Sequence, residues 1–287
     1  MKRTNILPRT DLYILMEILS IPLVISSIAI IITLLYASYR DYKERLVAFK
    51  TWYPMLVIGV PIALYTYATL ILAEPRAAVG YIVLVAIFCA MFYFSSAYLH
   101  IFGGADAWAF IFITFLVPLY PILPLTGYPA IAFFPLTVLI NAVILNLVVP
   151  IGLLIYNLAK RNRAPLFCLL TCYPVASEKL TDSFGFIMEE FEECPKSADA
   201  PEGFKRRFLT FGASIKRMVG GTRRMYTGDL KRNPQEYKKE LALYKKAGHV
   251  WISYGVPFII PITAGFITAL VFGDILFTII RCITGAM

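Results

Sequence analysis

Two aspartates stand where an acid is costly. Asp106 closes the stretch Phe102-Gly103-Gly104-Ala105-Asp106, between two strongly apolar segments, and Asp41 closes the first long apolar run, in Ala37-Ser38-Tyr39-Arg40-Asp41-Tyr42-Lys43-Glu44-Arg45. A carboxylate at the mouth of a hydrocarbon slab is expensive, so an acid there calls for a function and a partner. If the two runs between these acids cross a membrane out and back, both carboxylates end on one face. Two carboxylates that meet in a poorly solvated place share a proton and titrate as a coupled pair. Such a pair can hydrolyse a peptide bond: one carboxylate takes a proton from water while the other, protonated, polarises the scissile carbonyl. Gly103, Gly104 and Ala105 then form a substrate-access turn, whose small residues let a peptide backbone approach Asp106. Arg40, Lys43 and Arg45 add positive potential beside Asp41.

Each acid also has a plainer reading. Asp106 can cap a helix through backbone N–H groups, and Asp41 can pair with Arg45 one helical turn later. The glycines directly before Asp106, and loops that put both acids on one face, favour the paired reading. Asp274, in Phe272-Gly273-Asp274-Ile275, falls by parity near the opposite face.

The elements that must position the acids are membrane spans. With 287 residues, 59% hydrophobic and 16% charged, the chain is too apolar for a soluble globule. Residues 12–39 form a run far longer than the roughly 7–15 apolar residues of a signal peptide and end in charge rather than at a cleavage site, which predicts a retained first span. Pro22 is expected to kink it, and Glu17 lies near its outer end. Residues 41–52 alternate charge with apolar side chains, as in a helical turn or two at the interface. Further spans are expected at residues 54–73, 79–99, 107–123 and 134–158. His100 reads as a headgroup-level residue, and Asn141 and Asn146 as interhelical hydrogen-bond donors and acceptors.

Residues 159–248 change character, with basic clusters at Lys160-Arg161, Lys205-Arg206-Arg207, Arg223-Arg224 and Lys238-Lys239 and acidic ones at Glu189-Glu190 and Glu192-Glu193. This is a water-facing insert whose short apolar patches, 165–173 and 184–188, are expected to form a small cap or lie on headgroups. Residues 251–280 are the sixth span, with Pro257 and Pro261 predicting a bend near the acids. The expected architecture is all-α: a membrane domain at 1–158 with helices one to five, a cytoplasmic insert at 159–248, and the sixth helix at 249–287.

All but five of the 27 Lys and Arg, the exceptions being Lys2, Arg3, Arg9, Arg76 and Arg281, fall on the side that carries the insert. The positive-inside bias makes that side cytoplasmic, with both acids there and both termini outside. The same one-sidedness explains the net charge of +9 without nucleic acid. Five cysteines, Cys168 and Cys172 the only close pair, give neither a disulfide framework nor a zinc signature. That pair reads as core or interface filling.

At these residues the chain resembles the archaeal preflagellin, or prearchaellin, peptidases within the type IV prepilin peptidase group of intramembrane aspartyl proteases, whose signature is Gly-x-Gly-Asp. Asp41-Tyr42-Lys43-Glu44-Arg45-Leu46-Val47 is similar to the group's first motif, an Asp followed by basic residues. Gly103-Gly104-Ala105-Asp106 is similar to the second, with Ala105 in place of its second glycine, and Trp108 stands where many members carry lysine. Phe134-Pro135 to Asn141 and Pro257 to Pro261 extend the likeness. The resemblance implies that Asp41 and Asp106 are catalytic. It implies cleavage, at the cytoplasmic face of the cell membrane, of the short basic class III leader of archaellin or pilin precursors. It implies no metal or organic cofactor and, without a tetracysteine set, no methyltransferase activity. Glu189, Glu190, Glu192 and Glu193 are candidates to meet the basic leader.

Two other classes use the same features. A proton-coupled transporter could relay protons through the acids, although no second half repeats the pattern. A non-catalytic membrane scaffold could bind anionic lipid or a partner through the basic insert, and then neutralising either acid would change only stability. The sequence leaves the oligomeric state open.

Overall fold

A computed structural model describes residues 9–99, 103–129, 131–193, 204–210, 212, 225–255 and 257–285. The lead at residues 1–8, His100, Phe102, Arg223-Arg224 and both termini lie outside the described residues, as do the side chains of Glu17, Glu192 and Glu193. The chain divides into two compact units, residues 1–146 with 257–287, and residues 147–256.

The first unit is built from helices whose faces divide by burial. On α1 (Arg9–Glu44) the exposed side carries Ile18, Ile21, Ile25, Ile28, Ile32 and Leu35, and the buried side Leu19, Leu23, Ile30, Leu34 and Ala37. These are the three- and four-residue steps of one helix showing one stripe to its neighbours and another to lipid. Pro22 lies within α1, which continues through it. A turn and a short 3-10 segment, Phe49–Trp52, lead into α2 (Tyr53–Ala73), and α3 (Pro75–Ala97) returns after Glu74.

α4 (Gly104–Leu116) is only 13 residues long, about 20 Å at 1.5 Å per residue and short of the roughly 30 Å hydrocarbon core. Apolarity runs on to Leu123, but Pro118 lacks the N–H that would continue the ladder and restricts Val117 before it. The Tyr67 hydroxyl donates to the Phe115 carbonyl at 3.0 Å, taking over part of the lost bonding. Beyond α4 the chain stays buried without helix through Val117, Leu119 and Tyr120.

α5 (Phe134–Asn146) packs on α10 (Ile259–Val271), which also packs on α1, and α11 (Ile275–Thr284) follows. The core of this unit is aromatic: Phe92 of α3 stacks on Phe110 of α4 with centroids 4.4 Å apart, and Phe134 of α5 meets Phe266 of α10 edge to face at 5.2 Å. The bend expected at Pro257 and Pro261 is instead a helix start, since a proline in the first turn gives up an N–H that has no intrahelical acceptor anyway. The bend of 56° lies between α10 and α11. Asn141 fixes it from both sides, donating to the Gly273 carbonyl at 2.8 Å and accepting from the Ile275 N–H at 3.0 Å. Asp274, the rival acid, caps α11 through the Phe277 N–H at 2.9 Å.

Among its described residues the second unit holds α6 (Val148–Ala159), α7 (Leu166–Thr171), α8 (Thr227–Arg232), α9 (Lys238–Ala247) and two antiparallel strand pairs. β1 (Cys172–Ala176) pairs with β4 (His249–Ser253), and β2 (Glu189–Glu193) with β3 (Phe204–Phe208). The apolar patches of the insert contribute Cys168, Cys172 and Met188 to one core, where Leu209 and Trp251 join them, and Ile187 to another, where Leu180, Leu230, Val250 and Ile252 join it.

The protein is therefore mostly helical rather than all-α. Trp251 and Ile252, read as the opening of a sixth span, belong to β4. Among the described residues, four lengths can cross a membrane by length and composition, Ile18–Glu44, Phe49–Ala73, Pro75–Ala97 and Phe134–Ala159, or five if α10 and α11 count as one bent span.

Candidate active site

Asp41 and Asp106 are each the last member of an inward stripe. On α1, Leu34 and Ala37 are fully buried, and Asp41 follows one turn after Ala37. On α4 the stripe is Ile113, Phe110 and Ala109, all fully buried, with Asp106 one turn earlier. Both aspartates are partly covered, and the charge of Asp41 acts on Asp106. The helices that the sequence predicted thus bring the two acids into one electrostatic neighbourhood.

Local bonding orients each carboxylate. Asp106 is the third residue of α4, and the N–H of Gly103, its N-cap, faces the Asp106 carboxylate. This is one half of a capping box, an acid at the third helical position reaching back to the N-cap N–H. A β-carbon on Gly103 would stand 2.8 Å from Asp106 Oδ2, whereas one on Gly104 would meet nothing within 4 Å. The plainer reading of Asp106 as a capping acid and the paired reading are therefore compatible: the same bond that caps α4 aims the carboxylate.

The basic residues beside Asp41 do not act alike. Arg45 ends α1 in the left-handed region at φ 53°, and its charge acts on Asp41. Arg40 is paired with Glu44 at 2.7 Å, and Lys43 lies over the Tyr39 ring, 5.7 Å from its centroid. Of the three expected to act together, Arg45 is the one whose charge is felt at the carboxylate. Trp108 lies against Phe49 and Phe112, with centroids 5.4 and 5.3 Å away, so an aromatic surface borders the turn that carries Asp106.

The acidic clusters of the insert are strand residues. Glu189 is buried, pairs with Arg206 at 3.1 Å and accepts from the Trp251 N–H at 2.9 Å. Across β2 and β3, Glu190 stands opposite Arg207 and Glu192 opposite Lys205. The expectation that Glu189 meets a leader gives way to an interior role, because its carboxylate is enclosed and already bonded.

Sequence reasoning passed over Ser38, Ile259 and Thr263. The Ile259 N–H faces the Asp41 carboxylate, and Ser38 Oγ lies 2.8 Å from Thr263 Oγ1. The available signals were Ser38 one turn before Asp41 on its inner stripe, and the prolines on either side of Ile259.

A multi-pass helical membrane protein with paired acids ending its inward stripes falls in the class of membrane-embedded aspartic proteases. The chain matches the Type IV leader peptidase family, Peptidase A24, over residues 28–151, and the Archaeal Peptidase A24 C-terminus Type II over residues 164–275. It is an aspartic protease of the Peptidase A24 family. The first match takes in both Asp41 and Asp106, and the second most of the second unit together with α10. A search of curated proteins returned no match for the chain.

Proposed function

We propose that this protease removes the short basic leader of archaellin or type IV pilin-like precursors at the cytoplasmic face of the membrane, with Asp41 and Asp106 as its catalytic pair. The observation that carries the reading is the approach of two carboxylates from the ends of two inward stripes, with Asp106 within reach of the Asp41 charge. The Type IV leader peptidase match supports the substrate class.

One carboxylate accepts a proton from water as the water attacks the scissile carbonyl, and the other donates its proton to the developing oxyanion. The tetrahedral adduct collapses as the first gives its proton to the leaving amine and the second takes one back from a hydroxyl of the adduct, so that the C–N bond breaks, the carbonyl reforms and the shared-proton state is restored. The open space at Gly104 suits a peptide backbone lying over the turn. An aromatic surface at Trp108, Phe49 and Phe112 suits the apolar segment of a precursor that follows its leader.

The orientation belongs to the same proposal. Six passages, counting α4 with its buried extension and the bent α10–α11 pair, leave both termini outside and the insert at 159–248 cytoplasmic, as the distribution of Lys and Arg favours. The test is cleavage of a tagged archaellin precursor in membranes containing wild type, Asp41→Asn or Asp106→Asn, with the mature N-terminus sequenced. Loss of cleavage in each variant at normal membrane levels is expected. Cleavage that persists in both removes the catalytic pair, and an inert wild type removes the substrate.

A further inference from the structure

Asp41 has a neighbour outside its own helix, and a buried polar contact holds that neighbour in place. Ser38 Oγ lies 2.8 Å from Thr263 Oγ1, which in turn donates to the Ile259 carbonyl at 2.8 Å. Thr263 is 5% exposed, and the residues around it on α10, Ile259, Pro261, Ile262 and Phe266, are buried and apolar. On α1 the neighbours of Ser38 on the inner stripe are Leu34 and Ala37, both fully buried. With the Thr263 proton given to its own helix, Ser38 is the donor across the seam, and this contact fixes the axial register of one helix against the other, because sliding either helix would take from the Ser38 hydroxyl its acceptor in an apolar place.

That register matters at one place. Ser38 is one turn before Asp41 on α1, and Thr263 is one turn after Ile259 on α10. Ile259 is the first residue of α10, and its N-cap, Phe258, offers no side-chain cap. Its N–H is therefore one of the donors that a helix start leaves without an intrahelical acceptor, and it faces the Asp41 carboxylate. The positive end of a helix and an acid suit each other within about one turn and not beyond it.

We infer that Thr263, acting through Ser38, is a positioning residue for Asp41: the hydroxyl pair sets the register that brings the start of α10 to the Asp41 carboxylate. The inference rests on the reading of Asp41 as catalytic. Neither hydroxyl touches substrate. Their effect is to hold Asp41 in one orientation toward Asp106 and the attacking water.

The test is a kinetic series on the full-length protein in membranes, with precursor cleavage followed over substrate concentration. Thr263→Val is expected to lower kcat on the order of tenfold with KM unchanged, since small misplacements of a reacting group cost rate rather than binding. Ser38→Ala, in which the smaller residue suits a helix, is expected to do the same. The double variant should fall no further than either single, because one contact is lost in all three. Thr263→Ser should restore kcat. Full kcat in Thr263→Val, or a loss that Thr263→Ser does not recover and that follows thermal stability in detergent, overturns the inference. Asp41→Asn run alongside separates the two readings: cleavage surviving there removes Asp41 itself, whereas an inert Asp41→Asn beside a fully active Thr263→Val removes only the positioning role.

Discussion

The carboxylate of Asp106 folds back over Gly103 so closely that a β-carbon on that glycine would stand 2.8 Å from Oδ2. The backbone of Gly103, at φ −61° and ψ 148°, is open to any residue, so the need for glycine is steric. Gly103→Ala is expected to push the carboxylate off the Gly103 N–H and lower kcat on the order of tenfold or more. Gly104→Ala, with nothing within 4 Å of its new methyl group, should leave kcat alone and raise KM if a substrate backbone lies over the turn. A full kcat in Gly103→Ala, measured by precursor cleavage, would contradict this division.

Glu189 predicts a stability effect rather than a substrate effect. Its side chain is 1% exposed and bonds both Arg206 and the Trp251 N–H, so it ties β3 and β4 to β2. Removing one partner of a buried ion pair costs about 3–5 kcal/mol, and less where the other can reach water, as Arg206 can at 30% exposure. Glu189→Leu should lower the stability of the second unit by roughly 2–3 kcal/mol and hasten proteolysis in the basic strand. Glu189→Gln, which keeps an acceptor for Trp251, should lose less. Limited proteolysis of the membrane-bound protein reads both. Unchanged proteolysis in Glu189→Leu would return this acid to the surface.

The break between α10 and α11 depends on Asn141. Gly273 holds φ 90° at the break, and Asn141 bonds the backbone on either side of it. Asn141→Leu leaves a buried carbonyl and an N–H without that partner, at a cost of about 1–3 kcal/mol. Asp274→Ala removes a single N-cap bond, typically about 1 kcal/mol. Thermal unfolding in detergent should therefore rank wild type above Asp274→Ala and that above Asn141→Leu. The reverse order would mean that the cap rather than the asparagine holds the bend.

How much of this was legible in the chain depends on the range over which each signal acts. α1, α2 and α3 follow from apolar length alone, and the parity of the runs between Asp41 and Asp106 brought two acids together without any knowledge of packing. Hydropathy carries α4 too far because it counts Val117, Leu119 and Tyr120 as membrane-compatible, while the hydrogen-bond loss at Pro118 decides that they are not helical. A short apolar run does not tell strand from helix, so Trp251 and Ile252 read in sequence as part of a span. Their partner, β1, lies more than seventy residues earlier in the chain. The enclosure of Glu189 is hidden for the same reason: Arg206 reaches it only once β2 and β3 have paired. The Ser38–Thr263 contact has no local signature at all, since its two hydroxyls are 225 residues apart in sequence.

Arg45 sets stability against activity. It ends α1 in the left-handed region at φ 53°, where a β-carbon costs about 1 kcal/mol and glycine or asparagine is at ease. A long basic residue kept in that conformation points to a task for its charge, and the charge acts on Asp41. Arg45→Gly is expected to raise the thermal midpoint in detergent and lower kcat for precursor cleavage several-fold. Arg45→Asn should behave alike, because asparagine tolerates the conformation and carries no charge. Arg45→Lys restores the charge and not the conformational ease, so it should return kcat toward wild type with no gain in stability. Were Arg45→Gly to cleave at the wild-type rate, the strained turn would be serving the helix end alone, and the field that acts on Asp41 would have to come from the start of α10.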